Sequence, residues 1–275
     1  RHMPRCHGDC FMHVTDFTAI VEQDQPLIEL QPAVLGDVER AIGRHCASLI
    51  HDGDCLQLGI GALPDAVLAC LGDKNDLGLH TEMFSDGAVD LIRAGNIKNV
   101  HPGKHVATFL MGTKRLYDFV NDNPSVYMAP VDYVNNPAVI GSNDNMVSIN
   151  SCVQIDLTGQ VCSETIGLRT FSGPGGQLDF VRGARWSKGG KSFIVINSTT
   201  EGKDGNRLSK IDVALPLGSA VTTPRADVDC IVTEYGVAEL RFKSLSERAH
   251  ALIAIAHPEF MDDLTRKAKA AGYFI

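Results

Sequence analysis

Residues 55–90, CLQLGIGALPDAVLACLGDKNDLGLHTEMFSDGAVD, constrain the fold more than any other stretch of the chain. They read as strand, glycine loop, helix, strand, and then an acidic residue delivered at a strand end. Leu56-Gln57-Leu58 is a short apolar run bounded by turn signals at Asp52-Gly53 and Gly59. Gly59-Ile60-Gly61 can bend sharply and expose backbone N–H groups, because neither glycine carries a Cβ. Pro64 suits the first turn of a helix, where its missing N–H costs nothing. Val67, Leu68 and Leu71 supply that helix with an apolar stripe. Leu77-Gly78-Leu79 opens the next strand and places Thr81 and Glu82 at its carboxyl end. Ligands of open α/β sheets bind along that edge, which makes Glu82 the leading candidate for chemistry.

The remainder of the chain repeats the same alternation. Val38, Ala41, Ile42, Cys46 and Leu49 recur at helical spacing behind Asp37, which is expected to cap that helix. Helices are predicted over 88–94, around 116–120, from the second glycine loop towards Ala184, over 245–256 and beyond Pro258. Ser244 with Glu247 forms a capping box for the fourth of these. Strands are predicted over 106–110, 125–128, 193–197, 211–215 and 230–233. The runs 146–149, 153–157 and 161–163 read as antiparallel strands, the last two joined at Thr158-Gly159. Asn135-Asn136-Pro137 reads as a polar turn. No low-complexity linker interrupts residues 35–275, so the expected architecture is one α/β domain. Its sheet is open, mixed and largely parallel, flanked by helices, and residues 1–34 form an irregular leading arm.

Bulk properties narrow the function classes. A chain of 275 residues can bury a sizeable core. A formal net charge of −8 argues against a nucleic-acid partner or an anionic membrane surface. No apolar run approaches membrane-spanning length, and no signal-peptide core is present. The eight cysteines are scattered in mostly apolar contexts, which suits a reducing cytoplasm better than a disulfide framework. Cys6, His7, Cys10 and His13 form the one cluster with metal-like spacing, but C-x3-C-x2-H is no recognised zinc frame, and no metal is expected. Arg1-His2-Met3 reads as a vector remnant before an internal start.

Two glycine loops, Gly59-Ile60-Gly61 and Gly173-Pro174-Gly175-Gly176, each open a helix and can cradle an anion or an acyl oxygen. Gln57 adds an uncharged donor beside the first. No G-x-S-x-G elbow is present, so a lone glutamate near such donors suits acyl transfer through a carboxylate nucleophile. The rival is a dinucleotide site, since Glu82 lies about twenty residues after the first loop. Pro64 at the third glycine position weighs against it. The bland readings are a surface carboxylate at a strand end for Glu82 and a flexible connector for residues 173–176.

Four separated motifs, LQLGIGALPDAVL, LHTEMFSDG, FSGPGGQLDFVRGA and IVTEYGVAELRFKSLSERAHALIAIAHPEF, resemble the acetyl-CoA hydrolase/transferase family. The likeness is greatest to its 4-hydroxybutyrate and acetate/butyrate CoA-transferases, and it spans essentially the whole chain from Met3. It implies a CoA-transferase-like (NagB-RpiA-like) fold and a chain that is the C-terminal half plus linker, its N-terminal domain missing. Without that domain the chain would turn over slowly or not at all. Cys6 and Cys10 stand where relatives tend to carry threonine and serine. By position, the resemblance implies that Glu82 is the nucleophile and that Gln57, Gly59 and Gly61 line the thioester oxygen site. Asn135 (or its neighbour Asn136), Gly173, Gly175 and Gly176 would lie near bound CoA. Acyl-CoA and a small carboxylate would be the substrates, with no permanently bound cofactor, in a cytoplasmic homo-oligomer. An acetyl-CoA hydrolase sharing the glutamyl thioester, a non-catalytic CoA-binding fragment and an NAD-binding Rossmann-like domain are the alternatives.

Overall fold

The computed structural model describes residues 2–59, 61–98, 100 and 103–274. Arg1 and Ile60 of the first glycine loop therefore lie outside the described residues.

The first helix, α1 (Asp37–Ala47), is capped one residue earlier than the sequence suggests. Glu39 Oε2 accepts the Gly36 N–H at 3.0 Å, and Asp37 becomes the first helical residue, where its charge suits the helix dipole. Strand β1 (Cys55–Leu58) and helix α2 (Ala62–Ala69) follow. Gly43 lets α1 and α2 approach, because a Cβ there would overlap the carbonyl oxygen of Ala66. Next come β2 (Gly78–Leu79), β3 (Met83–Phe84), α3 (Asp86–Ala94), β4 (His105–Ala107), β5 (Phe109–Leu110), α4 (Lys114–Val120) and β6 (Val126–Met128). The predicted turn at Asn135-Asn136-Pro137 is instead a helix junction. Asn135 closes α5 (Val131–Val134), and the Asn136 side chain caps α6 (Pro137–Gly141) by accepting the Ala138 N–H at 2.9 Å.

Strand β7 (Met146–Ser151) is followed by β8 (Gln154–Asp156) and β9 (Val161–Cys162), and by a hairpin of β10 (Thr165–Ile166) and β11 (Arg169–Thr170). Helix α7 (Gln177–Trp186) then precedes β12 (Lys191–Val195), a second hairpin of β13 (Thr199–Glu201) and β14 (Arg207–Ser209), and β15 (Ile211–Asp212). The chain closes with β16 (Cys230–Thr233), β17 (Gly236–Glu239), α8 (Leu245–Ala254) and α9 (Pro258–Ala270). The capping box forms as expected, with Glu247 Oε2 2.7 Å from the Ser244 amide nitrogen.

The central sheet runs β17-β16-β12-β7-β1-β2 and is parallel except for β17. A parallel bridge between His80 and Val106 continues it into the parallel β4–β6 pair. Strand β7 corrects the sequence expectation: it pairs parallel with both β1 and β12, and only β8 and β9 form the antiparallel pair. Beyond β6, the leading segment adds itself to the sheet edge, where Met128 N–H donates to His7 O and Asp9 N–H to Met128 O, each at 2.8 Å.

Alternate residues of the central strands feed opposite faces, as the pleat requires. Phe193, Val195, Cys230 and Val232 join the core under α1, α2 and α3, whereas Ile194, Ile196 and Ile231 pack beneath α7, α8 and α9. Helices thus cover both faces, and the strands read as nearly continuous apolar runs for that reason. Carboxyl ends of β1, β7, β12 and the β2 extension all open on one edge, so the sheet delivers its loops to a common side.

Two buried histidines, His80 and His105, lie at the junction of β2 and β4. Burial disfavours the imidazolium and pulls His105 down from 6.5 to about 4. The folded state then binds fewer protons than the unfolded chain between those values, so stability is lost as pH falls through that window. Thermal scans should show Tm declining between pH about 6.5 and about 4, with a shallower decline in His105→Leu. Equal slopes would contradict this placement of the imidazole.

Candidate active site

Glu82 sits in the bend between β2 and β3, half-buried, at the carboxyl edge of the sheet. Its backbone is held firmly. The Glu82 carbonyl accepts from Thr108 N–H at 3.0 Å and Phe109 N–H at 3.1 Å, while Thr81 N–H donates to Val106 O at 3.0 Å. Thr81 is fully buried, and its hydroxyl lies 3.2 Å from both the nitrogen and the oxygen of Leu58, tying the Glu82 segment to the end of β1.

The Glu82 carboxylate meets the second glycine loop. Gly176 N–H donates to Glu82 Oε2 at 3.0 Å, and Gly176 is also the residue from which α7 starts. A carboxylate is favoured there by the unpaired amides and dipole of the helix. Space at this point is minimal. A Cβ on Gly176 would overlap the Asn135 amide nitrogen and lie 2.6 Å from Glu82 Oε2. Glycine is therefore dictated by crowding, since the backbone at Gly176 (φ −87°, ψ 9°) is open to other residues. Gly175, by contrast, has φ +57°, a conformation that side chains disfavour. Gly173 faces open space within 4 Å.

Asn135 completes the group. Its Oδ1 is buried with no hydrogen-bond partner among the described residues, an arrangement uncommon in folded proteins and suited to a ligand donor. Asp179, in the first turn of α7, feels the same enclosure: burial first, and then the Glu82 charge, push its carboxyl pKa up. The fold thus brings together Glu82, Asn135 and Gly176, with Gly175 alongside, from positions spread over more than ninety residues.

At the first loop, Gly59 and Gln57 make their hydrogen bonds within the sheet. Gly59 N–H is committed to Ile149 O at 2.7 Å, which extends the β1–β7 ladder and removes it as a free oxyanion donor. Gln57 is buried, and its Oε1 accepts from Ser148 Oγ at 2.7 Å and Asn150 Nδ2 at 3.0 Å, while its Nε2 donates to Asn150 Oδ1 at 3.1 Å. This reciprocal amide pair rivets the ends of β1 and β7 under the site. Gly61, at φ +107°, is the residue before α2. Together with Met83, the neighbour of Glu82, it lines a cavity of about 660 Å³ between α2, α3 and residues 30–35.

The structure adds His80, Ser148, Asn150 and Asp179 to the surroundings of these residues, none of which the sequence singles out. The signal for Ser148 and Asn150 was present, since two polar residues in the apolar run of β7 demand buried partners. Glu234, a second glutamate at a strand end, is occupied by Ser198 N–H at 2.9 Å. Glu164 has a buried Oε2 without a hydrogen-bond partner among the described residues. Cys6 and His7 line the edge segment, with His7 Nε2 3.1 Å from Asp122 Oδ1. Among the described residues no group of three or more His, Cys, Asp and Glu side chains could hold a metal ion, and no helix is long and apolar enough to cross a membrane.

The structure thus sets a glutamate at the carboxyl edge of a parallel α/β sheet, held by a glycine-loop amide and flanked by an asparagine. Residues 112–268 match the model of the acetyl-CoA hydrolase/transferase C-terminal domain. The chain belongs to the acetyl-CoA hydrolase/transferase family. It is 61% identical over 273 residues to the 4-hydroxybutyrate coenzyme A transferase of Clostridium kluyveri, covering 98% of this chain and 63% of that protein. Against the butyryl-CoA:acetate CoA-transferase of Anaerostipes caccae the identity is 45%, with 98% and 63% covered. A solved 4-hydroxybutyrate CoA-transferase from Porphyromonas gingivalis superposes with a TM-score of 0.84 at 47% identity, covering 98% of this chain and 65% of that one. The chain therefore spans a little under two thirds of the length of these relatives.

Proposed function

We propose that this chain carries the nucleophilic half of a CoA-transferase that exchanges coenzyme A between an acyl-CoA and a small carboxylate, with Glu82 as the nucleophile. The observation that carries the reading is the Glu82 carboxylate, hydrogen-bonded to Gly176 N–H beside an asparagine with an unpaired buried oxygen. The relatives are named for 4-hydroxybutyrate, butyryl-CoA and acetate, so short aliphatic acids of that kind are the proposed substrates.

Glu82 attacks the thioester carbonyl carbon, the C–S bond breaks, and CoA leaves as thiolate from a mixed anhydride of Glu82 and the acyl group. The thiolate then attacks the Glu82 carbonyl carbon of that anhydride and expels the first carboxylate, leaving a glutamyl-CoA thioester. An incoming carboxylate attacks this thioester, CoA thiolate departs, and a second anhydride forms. Attack of the thiolate on the new acyl carbon gives the new acyl-CoA and restores the Glu82 carboxylate. Each tetrahedral stage places negative charge on an oxygen, and a preorganised donor there is worth roughly 3–4 kcal/mol. Asn135 Nδ2, against the Gly176 position and Glu82, is the side-chain donor we assign to it. Gly59 is not, because its amide is already paired.

Gly173, Gly175 and Gly176 form the proposed contact with the pantetheine end of CoA, and binding energy from the distant nucleotide can be used at the thioester. Residues 35–275 are proposed as the CoA-handling domain and residues 1–34 as the arm joining it to a further domain. We place the protein in the cytoplasm as a homo-oligomer. The test is an exchange assay on the intact protein with acetyl-CoA and butyrate. Butyryl-CoA formed in step with acetate release supports the proposal. Acetate release without butyryl-CoA points to a hydrolase, and CoA binding with neither product points to a binding module.

A further inference from the structure

His80 precedes Glu82 by two residues, and its side chain is almost wholly buried. Its backbone is fixed where the central sheet passes into the β4–β6 pair: His80 N–H donates to Leu56 O at 3.0 Å, and the residue bridges Val106. Its ring makes a second set of contacts. Nε2 lies 2.8 Å from the carbonyl oxygen of Val134. A carbonyl can only accept, so Nε2 carries the proton and donates it. Val134 is the last residue of α5, whose terminal carbonyls find no partner inside the helix, and Asn135 is the next residue along. The ring also packs on Tyr133 and on Phe180, with centroid separations of 6.4 Å and 6.1 Å. Phe180 lies one turn into α7, and its N–H donates to Gly176 O at 3.0 Å. One side chain therefore touches both elements that bring Asn135 and Gly176 to the carboxylate.

We propose that His80 is a positioning residue that fixes Asn135 and Gly176 against Glu82 through its Nε2–H bond to Val134 and its ring packing on α5 and α7. This rests on Glu82 being the nucleophile. Burial lowers the pKa of the ring, which keeps it neutral and suits a geometric role over proton transfer. Its ring hydrogen bond goes to Val134 O and not to Glu82.

Two variants of the intact protein separate the possibilities. His80→Gln can place an amide nitrogen near the position of Nε2, whereas His80→Met fills a similar volume and leaves the Val134 carbonyl buried without a partner. In His80→Met, kcat should fall by about 10–100-fold while KM for acyl-CoA moves less than about threefold, the loss expected for one unsatisfied buried acceptor at a positioned site. His80→Gln should stay within about fivefold of the unmodified protein, because the donor is kept. If His80 acts through Asn135, then His80→Met should cost little more in an Asn135→Ala background, since residues acting as a unit are not additive. Fully multiplicative losses, or unchanged kcat in His80→Met, would overturn the proposal. Should His80→Met not fold, His80→Gln decides alone: retained turnover supports the role, and a loss beyond about 30-fold at unchanged Tm refutes it. Borohydride labelling of Glu82 in the unmodified protein keeps the two questions apart. No label there removes the nucleophile and the positioning role together, whereas a label with His80→Met fully active removes only the latter.

Discussion

Replacing Glu82 by glutamine is expected to abolish CoA transfer while leaving the fold in place. The amide keeps the size of the side chain, and its Oε1 can still accept the Gly176 N–H that reaches Glu82 at 3.0 Å. What it lacks is the anionic oxygen proposed to attack the thioester carbon. Removal of a covalent nucleophile costs acyl-transfer enzymes roughly 10⁴–10⁶ in kcat, and a loss in that range is expected here. The assay is CoA exchange between acetyl-CoA and butyrate, with thermal unfolding as the control for folding. Turnover within about tenfold of the unmodified protein would rule out the covalent route.

Gly176→Val should produce the second-largest effect. A Cβ at Gly176 has nowhere to go between Asn135 and the Glu82 carboxylate, and a β-branched side chain adds two methyl groups to the overlap. Displacing a reacting carboxylate by about an ångström can cost ~100-fold in kcat/KM, and weaker CoA binding by calorimetry should accompany it. Gly72→Ala, away from this loop, is the matched control, because nothing lies within 4 Å of the added methyl. If valine at 176 left CoA affinity and kcat/KM unchanged, the loop would be a plain connector.

Local chemistry made the elements around the site readable. Glycine loops before helices, Pro64 in a first turn and the Ser244–Glu247 capping box all act over a few residues, and all fall where the sequence puts them. Partner choice is not local, and there the reading failed. Strand β7 was recognisable as a strand, but its parallel pairing with β1 and β12 joins residues about ninety and forty-five positions away. The same limit explains Gln57. Its partner Asn150 lies on the neighbouring strand, ninety-three residues on, and cannot be read from the local sequence. At Asn135, Asn-Asn-Pro chemistry marks a break, and two short helices meeting there satisfy it as well as a turn does. Glu82 stands out in the sequence as an acidic residue at a strand end next to glycine loops, and its carboxylate does meet the second loop at Gly176. His80 does not stand out, since the carbonyl its ring meets lies fifty-four residues away.

The most direct measurement is the fate of Glu82 during turnover. Incubating the intact protein with acyl-CoA should leave a thioester between the Glu82 carboxyl and CoA. Borohydride reduces such a thioester to an alcohol and hydroxylamine converts it to a hydroxamate, so either reagent should inactivate the protein only when acyl-CoA is present. Peptide mass mapping should then place the modification on the peptide containing His80-Thr81-Glu82-Met83, and Glu82→Gln should carry none. A label on Glu164 or Glu234, or undiminished activity after treatment with acyl-CoA and borohydride, would contradict the assignment of Glu82 as the nucleophile.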